Sequence, residues 1–139
     1  MTTIRDSSGI SFEAPSPVRL EADSRGIDSA VSAWTANGYE VTIDRGPFAD
    51  PLTQYGAHRE YVTLRESVSG RDVRIVEFVD SDGSMVAGAH FPHRLDGGTG
   101  EDADPITVIV RLDPGSSREV ALSIIRSIRF PVAGNERGE

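Results

Sequence analysis

REYVTLRESVSGRDVRIVEFVDSDGSMVAGAHF, residues 59–91, decides the fold class. In residues 59–68 the apolar Val62, Leu64 and Val68 fall on even positions. Thr63, Arg65 and Ser67 fall between them, which describes a strand with one wet face. Ser69-Gly70 is a turn pair, and RDVRIVEFV, residues 71–79, is the returning strand. Asp80-Ser-Asp-Gly83 then turns the chain into SMVAGAHF, a third strand, so the stretch predicts an antiparallel meander.

Downstream, PHRLDGGTGEDAD, residues 92–104, has almost nothing to bury and predicts a loop. ITVIVRL, residues 106–112, is nearly continuous in apolar residues, the pattern of a strand covered on both faces near the centre of a sheet. Ser116 stands three before Glu119, a capping-box spacing, and Val120, Ala121, Ile124, Ile125 and Ile128 form one stripe. Residues 117–128 are therefore expected to be an amphipathic helix on the sheet. Arg126 and Arg129 suit the negative pole of its dipole.

Upstream, ISFEA, residues 10–14, alternates before Pro15 and Pro17, and predicts a short edge strand. In DSAVSAWTANGYEVTIDRG, residues 28–46, Asp28 could cap a short helix that Gly38 ends. Asn37-Gly38 is equally a two-residue hairpin turn, and Tyr39, Val41 and Ile43 alternate cleanly after it. We take the hairpin, with Trp34 near its turn. GPFADPLTQYGAH, residues 46–58, is a loop carrying Phe48, Leu52 and Tyr55. The whole predicts an α+β architecture, an antiparallel sheet of about six to eight strands packed with a C-terminal helix, as a single domain over residues 10–130. Residues 1–9 and 131–139 are expected to be flexible ends.

Three parts of this pattern, the strand ISFEAPSP (10–17), the hairpin-rich middle and a terminal helix ending in SIIRSIRF (123–130), resemble the PsbP-like superfamily. That superfamily includes PsbP, the Ran-binding Mog protein and DcrB-like lipoproteins, together with certain secretion-system chaperones. DSAVSAWTANGYEVTIDRGPFADPL, residues 28–52, is similar to a pattern in bacterial proteins of comparable length. The resemblance spans Ile10 to Phe130, and its motifs are structural. It implies an α/β/α or α+β sandwich and favours protein binding over catalysis. It carries no catalytic residue onto this chain.

Composition narrows the chemistry. The chain of 139 residues has no cysteine, which excludes disulfides, thiolate metal sites and a cysteine nucleophile. All fourteen basic residues are arginine, so a P-loop lysine and a Schiff-base lysine are excluded as well. A net charge of −8 opposes nucleic acid and anionic lipid and attracts a basic partner. No apolar run is long enough for a membrane span, and residues 1–9 lack the core of a signal peptide. The chain thus reads as cytoplasmic, with an exported domain lacking its leader as the alternative.

His90 and His93 are the obvious metal candidates, with His58, Asp96, Glu101 and Asp102 able to complete a site through folding. At a strand end, however, an offset of three sends side chains to opposite faces, and Pro92 bends the path. Strand-end histidines are the simpler reading. Asp80-Ser-Asp-Gly83-Ser84 opens like a calcium loop, but its twelfth position is Phe91, so a hairpin turn is expected. No G-x-S-x-G nucleophile elbow occurs.

The expected function is accordingly a non-enzymatic protein-binding module without cofactor, of the adaptor, secretion-chaperone or toxin-immunity type, acting as monomer or homodimer. Its candidate contact residues are Asp96, Glu101, Asp102 and Asp104 of the acidic loop, and Phe48 and Tyr55 of the Pro/Gly loop. The alternative is a small-ligand or metal site at His90, His93 and the acidic loop.

Overall fold

β9 (Ile106–Leu112) lies at the centre of a seven-stranded antiparallel sheet and joins two meanders. On one side of it are β3 (Arg19–Arg25), β4 (Ala30–Ala36) and β5 (Tyr39–Arg45), on the other β8 (Met85–Phe91), β7 (Arg71–Val79) and β6 (Arg59–Val68). This is a computed structural model, and it describes residues 1–25, 29–47, 49–92 and 104–131. β9 pairs with β5 and β8 along its full length, which is why its sequence is apolar almost without interruption. The meander read from residues 59–91 is present, with β7 and β9 at their expected boundaries.

The hairpin reading of residues 28–46 holds. β4 and β5 pair from Ala30 with Arg45 to Ala36 with Tyr39, leaving Asn37-Gly38 as a two-residue turn in which only Gly38 takes positive φ. Ser69-Gly70 is also a two-residue turn but of the mirror-image type, with φ positive at both positions.

Two strands have no counterpart in the sequence reading. β1 (Thr2–Arg5), placed there in a flexible end, pairs with β2 (Ser11–Ala14) as a separate two-stranded sheet. Asp6 holds their turn, its carboxylate accepting from the backbone N–H of Ser8 and Ile10. β3 adds the far edge of the main sheet, and its residues 19–24 are exposed. Predominantly β, the described chain has nine strands and one helix.

α1 (Arg118–Arg126) lies within the predicted helical span but is capped one residue later than expected. The Ser117 side chain, not Ser116, accepts from the Glu119 N–H, at 3.2 Å. Its apolar stripe, Ala121, Leu122, Ile124 and Ile125, is buried against β8 and β9. Arg126 does more than face the helix dipole: its Nε and Nη2 donate to both carboxylate oxygens of Glu66 on β6, at 2.9 and 2.7 Å. Beyond the helix, Arg129 exchanges backbone hydrogen bonds with Ser11, tying β2 to the helix end.

These elements cover one face of the sheet, where Phe12, Trp34, Val41, Ile75, Ala89, Val108 and Ile125 belong to the main core. An α/β/α sandwich would have helices on both faces. Among the described residues only one face carries a helix, and a loop covers part of the other. Topology explains the loop. β5 and β6 are four strand spacings apart, roughly 19 Å, because β9, β8 and β7 lie between them. The connection from residue 46 to residue 58 must therefore cross the sheet.

Candidate functional site

The crossing loop and the second face of the sheet enclose a cavity of ≈ 160 Å³. Alternation assigns the floor. Since Ile75, Ala87, Ala89, Val108 and Val110 point into the main core, their neighbours Val76, Val86, Gly88 and Ile109 point the other way. Leu52 and Tyr55 of the loop, with Phe78, His58, Asp80 and Arg111, complete the walls and rim.

The loop is held to the sheet by its backbone. Arg74 Nη2 donates to the carbonyls of Pro51 and Leu52, each at 2.7 Å. Thr107 Oγ1 donates to the Asp50 carbonyl at 2.6 Å. Asp50 braces the loop internally, accepting the Leu52 N–H on one oxygen and the Tyr55 hydroxyl on the other. Leu52 is only 1% exposed, at a positive φ of 61° that a leucine adopts only when its surroundings enforce it. Tyr55 stacks on Phe78 with centroids 4.8 Å apart, and the His58 ring packs on Phe78 at 4.6 Å.

One end of the cavity is charged. Asp80 Oδ2 accepts from Arg111 Nη1 at 3.0 Å, and Oδ1 accepts from the Ser81 N–H at 2.9 Å. The Ser81 N–H first, and then Arg111, hold the Asp80 carboxyl below the usual range, so it is ionised at neutral pH. His58 Nε2 lies 3.9 Å from Asp80 Oδ1, and the buried His58 Nδ1 has no hydrogen-bond partner among the described residues. Burial, followed by the bond to Asp50, pushes the Tyr55 hydroxyl up and keeps it protonated as a donor.

Of the residues expected to contact a partner, Tyr55 lies in this site. Asp104 does not. It is half-buried at the opposite end of β9 from Arg111, roughly 20 Å along the strand. Phe48, Asp96, Glu101 and Asp102 lie outside the described residues, as does His93. His90 stands near the Asp104 end with its Nδ1 2.9 Å from Thr107 Oγ1. Because that hydroxyl gives its proton to the Asp50 carbonyl, His90 Nδ1 is the donor to it. Burial holds this imidazole below its usual range. His90 thus braces the loop, while His58 packs at the other end. Among the described residues no three His, Asp or Glu side chains are grouped to hold a metal ion. Likewise Asp80-Ser-Asp-Gly83 is a hairpin turn, closed by Asp80 N–H to the Ser84 carbonyl and Gly83 N–H to the Asp80 carbonyl.

His58, Asp80 and Arg111 were not legible as a group. Gly88 was the available signal, since an isolated glycine within a strand marks a close approach, here by Leu52. Among the described residues, no helix is long and apolar enough to cross a membrane. Comparison with family models, with curated proteins and with solved structures returned no significant match, so the functional reading rests on these residues.

Proposed function

We propose that the chain is a non-enzymatic protein-binding module, a PsbP-like α+β domain of the adaptor, chaperone or immunity type, whose partner anchors one side chain in the cavity beneath the crossing loop. The supporting observation is preorganisation. The floor stands on three paired strands, and the roof is fixed by hydrogen bonds to the carbonyls of Asp50, Pro51 and Leu52. A preformed apolar recess with an aromatic wall and a polar rim suits a buried anchor, because little ordering entropy is lost when it fills. The net charge of −8 favours a basic partner, whose association would slow as salt rises.

The test is affinity capture from the native cell with the wild-type chain and with Val86→Trp, which fills the recess from its floor. A stoichiometric partner held by the wild type, weakened by salt and lost from Val86→Trp, is the expected result. A partner kept by a folded Val86→Trp protein, or recovery of the wild type alone at low salt, would overturn the reading.

A further inference from the structure

The cavity is apolar along its floor and charged at one end, and the sign of that end selects the anchor. Among the described residues that line the cavity, Arg111 is the one arginine, with the His58 ring beside Asp80, and two carboxylates flank that arginine. Asp80 Oδ2 is 3.0 Å away, and Glu40 is its direct partner across the β5–β9 register on the same face. The formal charges of Arg111, Asp80 and Glu40 sum to a negative end, to which Asp82 of the same turn adds, and the whole chain is negative as well. Resting on the reading of the cavity as a partner-anchoring site, we propose that it receives a long cationic side chain, lysine or arginine, from a basic protein. The aliphatic stem lies against Leu52, Val86 and Ile109, and the charged head reaches Asp80.

Shape and valence both fit. Lysine and arginine bury their stems on apolar surface while keeping the head at a polar rim. A carboxylate offers about four lone-pair sites. The Arg111 and Ser81 bonds occupy one on each oxygen of Asp80, which leaves capacity on both. An anionic anchor meets the reverse situation, because Arg111 is already engaged and the carboxylates on either side of it repel a third.

The experiment is an amide NMR titration of the full chain with n-butylammonium and n-butylguanidinium, the side-chain mimics, against pentanoate and n-pentanol of similar length. The two cations are expected to shift the Val86, Gly88, Ile109 and Arg111 amides in a saturable way, at lower concentration than either control. Asp80→Asn keeps an acceptor for the Ser81 N–H and should weaken cation binding about tenfold, the range of one charge-assisted hydrogen bond. Glu40→Gln, remote from the turn, should weaken it about twofold and serves if Asp80→Asn does not fold. Pentanoate or pentanol binding as well as the cations, unchanged cation affinity in both variants, or no shift at these amides with any probe would overturn the proposal. If Val86→Trp releases a natural partner while pentanol binds as well as butylammonium, protein binding stands and the cationic anchor falls.

Discussion

A methyl group added at Gly88 would sit 3.0 Å from Leu52 Cδ1 and 3.2 Å from its Cδ2, so the bare backbone of β8 is the seat of the loop's buried leucine. Leu52 has little room to retreat, because Arg74 holds its carbonyl and its own φ is already unfavourable. Gly88→Ala should therefore destabilise the wild type by about 1 kcal/mol, and Leu52→Ala by about 2–3 kcal/mol. In a Leu52→Ala background, Gly88→Ala should instead stabilise by roughly 0.5–1 kcal/mol, because a strand alanine loses less entropy than glycine. Urea unfolding of the four proteins measures the coupling. Additive effects would mean that Leu52 does not rest on Gly88.

The helix start offers a second check. Ser117 accepts the Glu119 N–H, whereas Ser116 uses its own N–H to bond the Asp113 carbonyl in the preceding turn. Ser117→Ala should cost about 1 kcal/mol and Ser116→Ala close to nothing, read as shifts in the urea midpoint. Equal losses would restore the capping box that the Ser116–Glu119 spacing suggests.

The fold was legible where burial imposes a period. Val73 and Ile75 alternate within β7, and β9 is buried on both faces, so their ends can be read directly. β3 and β1 were not, because both lie at sheet edges with little to bury: residues 19–24 are exposed, and in β1 only Ile4 packs against the core. The cavity was not legible for a different reason. Asp80 looks like a turn residue, Arg111 like the polar member of an apolar strand and His58 like a loop residue. They meet because β9 inserts between β5 and β8 and makes the connection cross the sheet. No local pattern encodes that insertion. Of the histidine pair that draws attention in the sequence, His90 contributes a brace through Thr107, and His93 lies outside the described residues.

His90 should make stability depend on pH. Burial holds its folded pKa below the unfolded value of about 6.5, so the unfolded chain binds more protons in between. The stabilising contribution is present above about pH 6.5 and is lost as pH falls through the folded value. His90→Asn keeps a donor for Thr107 Oγ1 but does not titrate. Its urea midpoint should fall less than the wild type's between about pH 7.5 and about pH 5.5. Parallel decline in both proteins would place the sensitivity elsewhere.

Asp44 has the opposite sign and a lower window. Burial, with the nearby Asp50 charge, raises its carboxyl above the usual range, so the folded state binds more protons than the unfolded chain. Stability is therefore lost as pH rises through the folded value. Asp44→Asn should raise the melting temperature at neutral pH, and the gain should vanish below the unfolded pKa of about 3.9. A lowered melting temperature at neutral pH would show that the charged Asp44 carboxylate stabilises the fold.

Glu77 presents the sharpest energetic question, because its side chain points from β7 towards the helix-covered face and the residue is only 3% exposed. Arg118 Nη1 lies 3.2 Å from Glu77 Oε1, near enough for an ion pair, yet Oε1 has no hydrogen bond of acceptable alignment among the described residues. The carboxylate thus depends on a charge whose own side chain is about half in water. Arg118→Ala would remove its ion-pair partner and leave only the weaker influence of Arg126, and should cost about 1–3 kcal/mol, below the 3–5 kcal/mol of a fully buried pair because Arg118 is solvated. Glu77→Gln removes the charge and should recover a large part of that loss in the Arg118→Ala background. Measuring both single variants and the double variant by urea unfolding decides the matter. If Glu77→Gln fails to rescue Arg118→Ala, the arginine stabilises the fold through its stem packing and not by neutralising Glu77.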